Sequence, residues 1–240
     1  MLNKMSVEII FSHAGGMFPY YLGIAEILQS YDLSEVVFSA TSGGCFAPLL
    51  LNSKRDIRKT FDKILDSIKN NNKTWEEILH DFLDKELTEE DVALNNRRFC
   101  VKLAKLNDFF FPDKVSVDKW DNKADLVDCV TAACYVPLIC GKKFYTTYRN
   151  QKIVDGFFGG TSSLPITSHN SIKFSVDKWR MIDPSWLIPS TDIPWLKGLF
   201  ELGVMDAIGH KDEIEKLLKP LKKKEKQNGY REGDQIPEVN

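Results

Sequence analysis

The sequence predicts an α/β fold with a mostly parallel central sheet flanked by helices, and three observations carry that reading. Val7 to Phe11 (VEIIF) is a short β-rich run, followed by the small-residue loop Ser12 to Gly16 and an apolar helical stretch from Pro19 to Leu28. A second unit of the same form follows at once, with the strand Val36 to Ser39, the turn Ala40 to Gly44 and the helix Cys45 to Leu51. Two strands joined through a helix in about thirty residues describe a parallel crossover, because a tight hairpin can only join antiparallel neighbours. Third, a chain of 240 residues, 43% apolar and 28% charged, can bury about 70–75% of its unfolded surface in one core without disulfides or a structural metal. The reading is one domain over residues 1–210 and a tail over 211–240, charged, closing on REGDQIPEVN and expected to be disordered.

Between these units the pattern is helical. Ile57, Phe61, Ile64, Leu65 and Ile68 are spaced to share one helix face, and Asn70 to Asn72 ends it. Thr74 with Glu77 forms a capping box that opens a helix through Trp75, Ile78, Leu79, Phe82 and Leu83, and Thr88 caps a third from Glu89. Phe99 to Leu106 and Lys114 to Val117 read as strands, Asn122 to Tyr135 as a helix, and Lys152 to Val154 as a short buried strand ending at Asp155-Gly156. Ser171 to Val176 reads as a further strand, and a last helix is expected from near Leu199 past Ile208.

Composition removes several function classes. A net charge of −2 and a near-neutral pI of 6.1 argue against a nucleic-acid footprint over the whole molecule. Cys45, Cys100, Cys129, Cys134 and Cys140 show no ligand spacing and read as buried thiols in a reducing compartment. The glycine loop lacks the lysine of a phosphate-binding P-loop, so nucleotide binding is not expected, and no cofactor or metal is read from the sequence. Neither a secretory leader nor an apolar run long enough to span a membrane is read from the sequence.

Three segments can carry chemistry. Ser42, in Ala40-Thr41-Ser42-Gly43-Gly44, follows a buried strand and precedes a helix, the context of a nucleophile elbow, in which small neighbours let the hydroxyl project. Ala40 stands where that pattern has its first glycine. Ser12-His13-Ala14-Gly15-Gly16 turns from the first strand into a helix and can aim backbone N–H groups at an anion. Asp155 is a carboxylate at a strand exit, where it can be held rigidly and partly desolvated, as a base requires. Each segment also has a plain reading as a tight turn. His169 and His210 follow Asp155 and keep a Ser-Asp-His order open, His80 reads as a surface residue, and His13 as a turn residue.

Taken together the segments resemble the patatin-like phospholipase family, in its adipose triglyceride lipase branch. The likeness runs discontinuously from Val7 to Ile208. It covers the block Phe11 to Gly23 with its glycine loop, the elbow at Ser42, and Cys129 to Cys140 followed by Lys152-Ile-Val-Asp155-Gly156. Leu199 to Ala207 resembles the family's closing helix. The resemblance implies a three-layer fold and a serine hydrolase with Ser42 as nucleophile and Asp155 as base. It also implies no catalytic histidine, no cofactor, and acyl esters of phospholipids or acylglycerols as substrates. The oxyanion hole would be the backbone N–H groups of Gly15 and Gly16; elbow geometry adds Gly43. Acyl transfer by the same fold, a catalytically silent lipid- or partner-binding relative, and a triad of Ser42, Asp155 and His169 or His210 remain as alternatives. The expected setting is the cytoplasm, with peripheral attachment to a membrane or lipid droplet. Trp186 to Pro189, Ile193 to Phe200 and the lysines 216, 219, 222, 223, 224 and 226 are candidate contact points, each with a plain reading as core cover or solvated helix end.

Overall fold

The computed structural model describes residues 7–69, 72–109, 111–159 and 170–218. The first strand, β1 (Val7–Phe11), is buried at every position. Successive strand side chains point to opposite faces, so helices must cover both sides of the sheet, and the molecule has three layers. Strands β2 (Val36–Thr41), β3 (Phe99–Leu106), β4 (Pro112–Val117), β5 (Thr146–Tyr148), β6 (Gln151–Val154) and β7 (Asn170–Phe174) complete a sheet of order β5-β6-β3-β2-β1-β7, with β4 on β3. The centre, β3-β2-β1-β7, is parallel; β4, β5 and β6 pair antiparallel. The sheet is therefore mixed, with the expected parallel core.

Helices α1 (Phe18–Leu28) and α2 (Phe46–Asn52) follow the two crossover turns as expected. Along α3 (Ile57–Lys69) the five periodic apolar residues are all buried. Helix α4 (Trp75–Glu86) opens on the expected box: the Glu77 N–H donates to Thr74 Oγ1 at 3.3 Å and the Thr74 N–H donates to Glu77 Oε2 at 2.8 Å. After α5 (Glu89–Asn95), α6 (Lys123–Ala133) is capped by Asn122, which accepts the Asp125 N–H at 3.0 Å.

Two expectations are corrected. The last long helix, α7 (Ile193–Gly209), starts at Ile193 rather than near Leu199. Pro194 lies in its first turn, where the missing N–H is not needed, and Asp192 caps it by accepting the Trp195 N–H at 3.2 Å. The chain also stays ordered past residue 210: α8 (Lys211–Leu218) buries Ile214 and Leu218, two residues four apart on one face, within a stretch whose charge hid the stripe. Lys216 lies on α8, whereas the lysines from 219 onward fall outside the described residues. Among the described residues no helix is long and apolar enough to cross a membrane.

Candidate active site

The strand pairing brings Ser42 and Asp155 together across 113 positions of sequence. Strand β2 runs parallel to β3 and ends at Thr41 opposite Lys102, while β6 runs antiparallel to β3 and ends at Val154 opposite Ala104. Strand β4 occupies the other edge of β3 over the same stretch. β2 and β6 therefore lie end to end along one edge, and the residues leaving their C-termini meet. The junction is tight: a Cβ on Gly156 would stand 2.3 Å from the Lys102 carbonyl oxygen.

At the exit of β2, Ser42 adopts φ +56°, the left-handed backbone that serine rarely takes and that an elbow imposes. Ala40 remains a strand residue paired with Phe11 and Val101, fully buried and without a positive φ, so alanine at that position does not obstruct the turn. Ser42 Oγ donates to Asp155 Oδ2 at 2.5 Å. The other carboxylate oxygen accepts the Phe157 N–H at 2.8 Å, and the Asp155 N–H donates to the Tyr135 carbonyl at 2.8 Å. Both ends of the aspartate are thus held. Only 1% of Asp155 is exposed, and this burial pushes its pKa up to about 6, against the pull of the Ser42 and Phe157 donors. A carboxylate so placed is more basic than one in water while remaining ionised near neutral pH.

The glycine loop packs beside the elbow. Gly15 has φ +50°, and a Cβ there would lie 2.3 Å from the Leu187 carbonyl oxygen; one on Gly16 would lie 2.2 Å from that of Ile188. A strap, residues 182–190, therefore presses backbone to backbone on the loop. Its approach is fixed by Asp206 of α7, which accepts from the Tyr20 hydroxyl at 2.7 Å and from Arg180 Nε at 2.6 Å. Trp186 and Trp195 pack edge to face with centroids 5.2 Å apart and lie against the core, the plain reading of that aromatic segment.

An apolar cavity opens beside Ser42, with Gly15, Ser42 and Gly43 at one part of its wall; Gly16 stands one residue back, beneath Ile188. Ile64 and Ile68 of α3 and Trp75, Ile78, Leu79 and Phe82 of α4 supply much of the remainder. The sequence showed these helices as amphipathic but assigned them no chemistry. Their shared apolar faces are what any surface helix shows, so the sequence carries no separate signal for the cavity.

Among the described residues no histidine bonds to Ser42 or Asp155. His210 stacks on Trp179 at 4.6 Å, with its Nδ1 2.9 Å from the Asp206 carbonyl, away from Asp155. With Ser42 bonded directly to Asp155, no imidazole stands between them, and the triad through His210 is set aside. His169 lies outside the described residues. His80 is on the surface beside Asp128, as expected. His13 meets the Phe157 ring edge at 4.7 Å, and burial, then the Lys173 ammonium, holds its pKa below the usual value. All five cysteine thiols are pushed up by burial, Cys140 to about 11 and Cys129 to about 12, so none competes as a thiolate nucleophile.

A hydroxyl on a strand-to-helix elbow, bonded to a buried carboxylate and facing an apolar cavity, is an arrangement that can perform acyl transfer. The comparisons with known proteins bear on the same chemistry. No family model matches the chain. Over 84 residues, 35% of its length, it is 29% identical to the human omega-hydroxyceramide transacylase, and the match spans 15% of that protein. The chain is a distant, partial homologue of that enzyme, which supports the patatin-like resemblance at the level of the family.

Proposed function

We propose that this chain is a lipid acyl hydrolase that cleaves carboxylic esters of phospholipids or acylglycerols through a Ser42–Asp155 dyad. The observation that carries the reading is the 2.5 Å hydrogen bond to a buried aspartate from Ser42, which lines an apolar cavity. Asp155 Oδ2 takes the Ser42 proton as Oγ attacks the ester carbonyl. The backbone N–H groups of Gly15, Gly16 and Gly43 receive the charge that develops on the carbonyl oxygen. Collapse of the tetrahedral intermediate returns the proton from Asp155 to the leaving alcohol and leaves the acyl chain on Ser42. Water, deprotonated by the same aspartate, then releases the fatty acid. The apolar helices α3 and α4 hold the acyl chain during both steps.

A second reading, in which an alcohol rather than water takes the acyl group, is favoured by the name of the human relative, a transacylase. Both readings share the acyl-enzyme and differ in its last step.

The test is fatty-acid release from a panel of phospholipids and acylglycerols, with and without an added long-chain alcohol, by the wild type, Ser42→Ala and Asp155→Asn. The expected result is release by the wild type and loss in both folded variants; a new ester formed at the expense of free acid identifies transfer. Absence of release and of ester from every substrate, with no labelling by a fluorophosphonate, leaves a silent lipid-binding protein and overturns the proposal.

A further inference from the structure

We propose that three loops around the Ser42–Asp155 pair form a docking face for a phospholipid surface bearing anionic headgroups. The inference rests on the lipid-hydrolase reading for its purpose, but its geometry is independent of it. The loops carry Leu138, Ile139 and Phe144; Phe157 and Phe158; and Ile188, all between 43% and 68% exposed. Each loop abuts the pair. The first gives its Tyr135 carbonyl to the Asp155 N–H and puts Val136 and Cys140 in the cavity wall. The second leaves Asp155 directly, with the Phe157 N–H on its carboxylate. The third lays Ile188 on Gly16 and its neighbour Pro189 in the cavity wall. An apolar rim at the entrance to an apolar cavity is where an acyl chain would pass from a bilayer to Ser42 without crossing water.

The first loop is built to keep its apolar side chains outward. Leu138 has φ +63°, a left-handed conformation that a bulky residue holds only when its surroundings impose it. Its N–H donates to the Lys143 carbonyl at 3.3 Å, and the Tyr135 hydroxyl clamps Lys143 from both sides, donating to its carbonyl at 2.7 Å and accepting its N–H at 3.1 Å.

Charge identifies the occupant. No carboxylate occurs in the sequence between Asp128 and Asp155, while Lys142 and Lys143, both exposed, lie between Ile139 and Phe144. Two α4 carboxylates approach this loop: Glu76 accepts from Thr146 at 2.6 Å and Glu77 is engaged by the Thr74 cap. The first loop's apolar tips, flanked by its two lysines, match the acyl boundary and anionic headgroups of a phospholipid surface, with the lysines lying at headgroup level, whereas the third loop carries Asp183 and Asp192 and contributes apolar contact alone.

The experiment is vesicle co-sedimentation of the full chain with phosphatidylcholine alone or mixed with phosphatidylserine, beside hydrolysis of a water-soluble butyrate ester. The wild type is expected to bind mixed vesicles more tightly than neutral ones. Leu138→Ser with Ile139→Ser is expected to lower that binding about ten-fold or more, while Lys142→Glu with Lys143→Glu removes the preference for the anionic lipid. Both double variants should keep wild-type cleavage of the soluble ester, which also shows that they fold. Undiminished binding in both variants, or no binding by the wild type, overturns the proposal. A wild-type dimer in sedimentation that the apolar variant dissociates, without vesicle binding, gives the face to a second copy and also overturns it. Vesicle binding without ester cleavage counts against the dyad and leaves the face standing.

Discussion

Replacing Asp155 by asparagine should abolish activity and, above neutral pH, stabilise the fold. The carboxyl is almost wholly buried and its pKa is pushed up to about 6 from an ordinary 3.8, burial being the largest cause. The folded state therefore holds this proton more tightly than the unfolded chain does. The sign follows: the protonated carboxyl contributes stability that is fully present below pH 3.8 and is lost as pH rises through 6. A gap of about two pKa units corresponds to about 3 kcal/mol in total, of which about half falls between pH 5 and pH 8. Asparagine has no such proton, and its amide can still donate to Ser42 Oγ and accept the Phe157 N–H. The assay is urea unfolding of wild type and Asp155→Asn at pH 5 and pH 8, comparing midpoints at equal slope. The stability of the variant relative to wild type should rise by about 1–2 kcal/mol between the two pH values, or about 2–8 °C in Tm. A difference that does not change with pH refutes the claim that burial raises this pKa, whatever the difference at either pH.

Three further outcomes follow from the same geometry. Hydrolysis of a soluble ester should rise with pH through about 6 and level off above it, because Asp155 must be ionised to accept the Ser42 proton; a pH profile of kcat/KM, which reports the free enzyme, reads this. Gly23→Ala should destabilise the fold by about 1–3 kcal/mol, since its Cβ would lie 2.0 Å from the Phe200 carbonyl oxygen where α1 crosses α7; thermal unfolding checks it. Ile78→Trp fills the cavity and should cut kcat/KM for long-chain esters about ten-fold more than for butyrate, measured with a series of chain lengths.

Much of the architecture was legible because each crossover is local. In β1 and β2 the apolar run, the small-residue turn and the helix succeed one another within a single stretch of chain, so the parallel core and both strand exits could be read directly. Ser42 and Asp155 could be singled out for the same reason, as polar residues leaving buried strands. Their meeting could not, since it depends on β2 and β6 sharing one edge of β3 while β4 fills the other, a pairing fixed only by tertiary structure. Ala40 looked like a departure in the elbow because the pattern asks for glycine there, yet the sharp turn begins after it, at Ser42. Helix α7 begins ahead of the expected start near Leu199 because Pro194 suits a first helical turn, and α8 is hidden in the sequence because its two buried apolar residues are outnumbered by charges. The cavity was the least legible feature. Apolar stripes on α3 and α4 are what any surface helix shows, and only their packing reveals that part of each stripe faces empty space beside Ser42.

The central claim is that Ser42 is a nucleophile activated by Asp155. Its most direct test is incubation of the folded full-length chain with a fluorophosphonate, followed by intact-mass measurement and peptide mapping. The account predicts a single adduct, on Ser42, absent from Ser42→Ala and formed far more slowly in Asp155→Asn. An unmodified wild-type chain, or an adduct on another serine with Ser42 untouched, would contradict it.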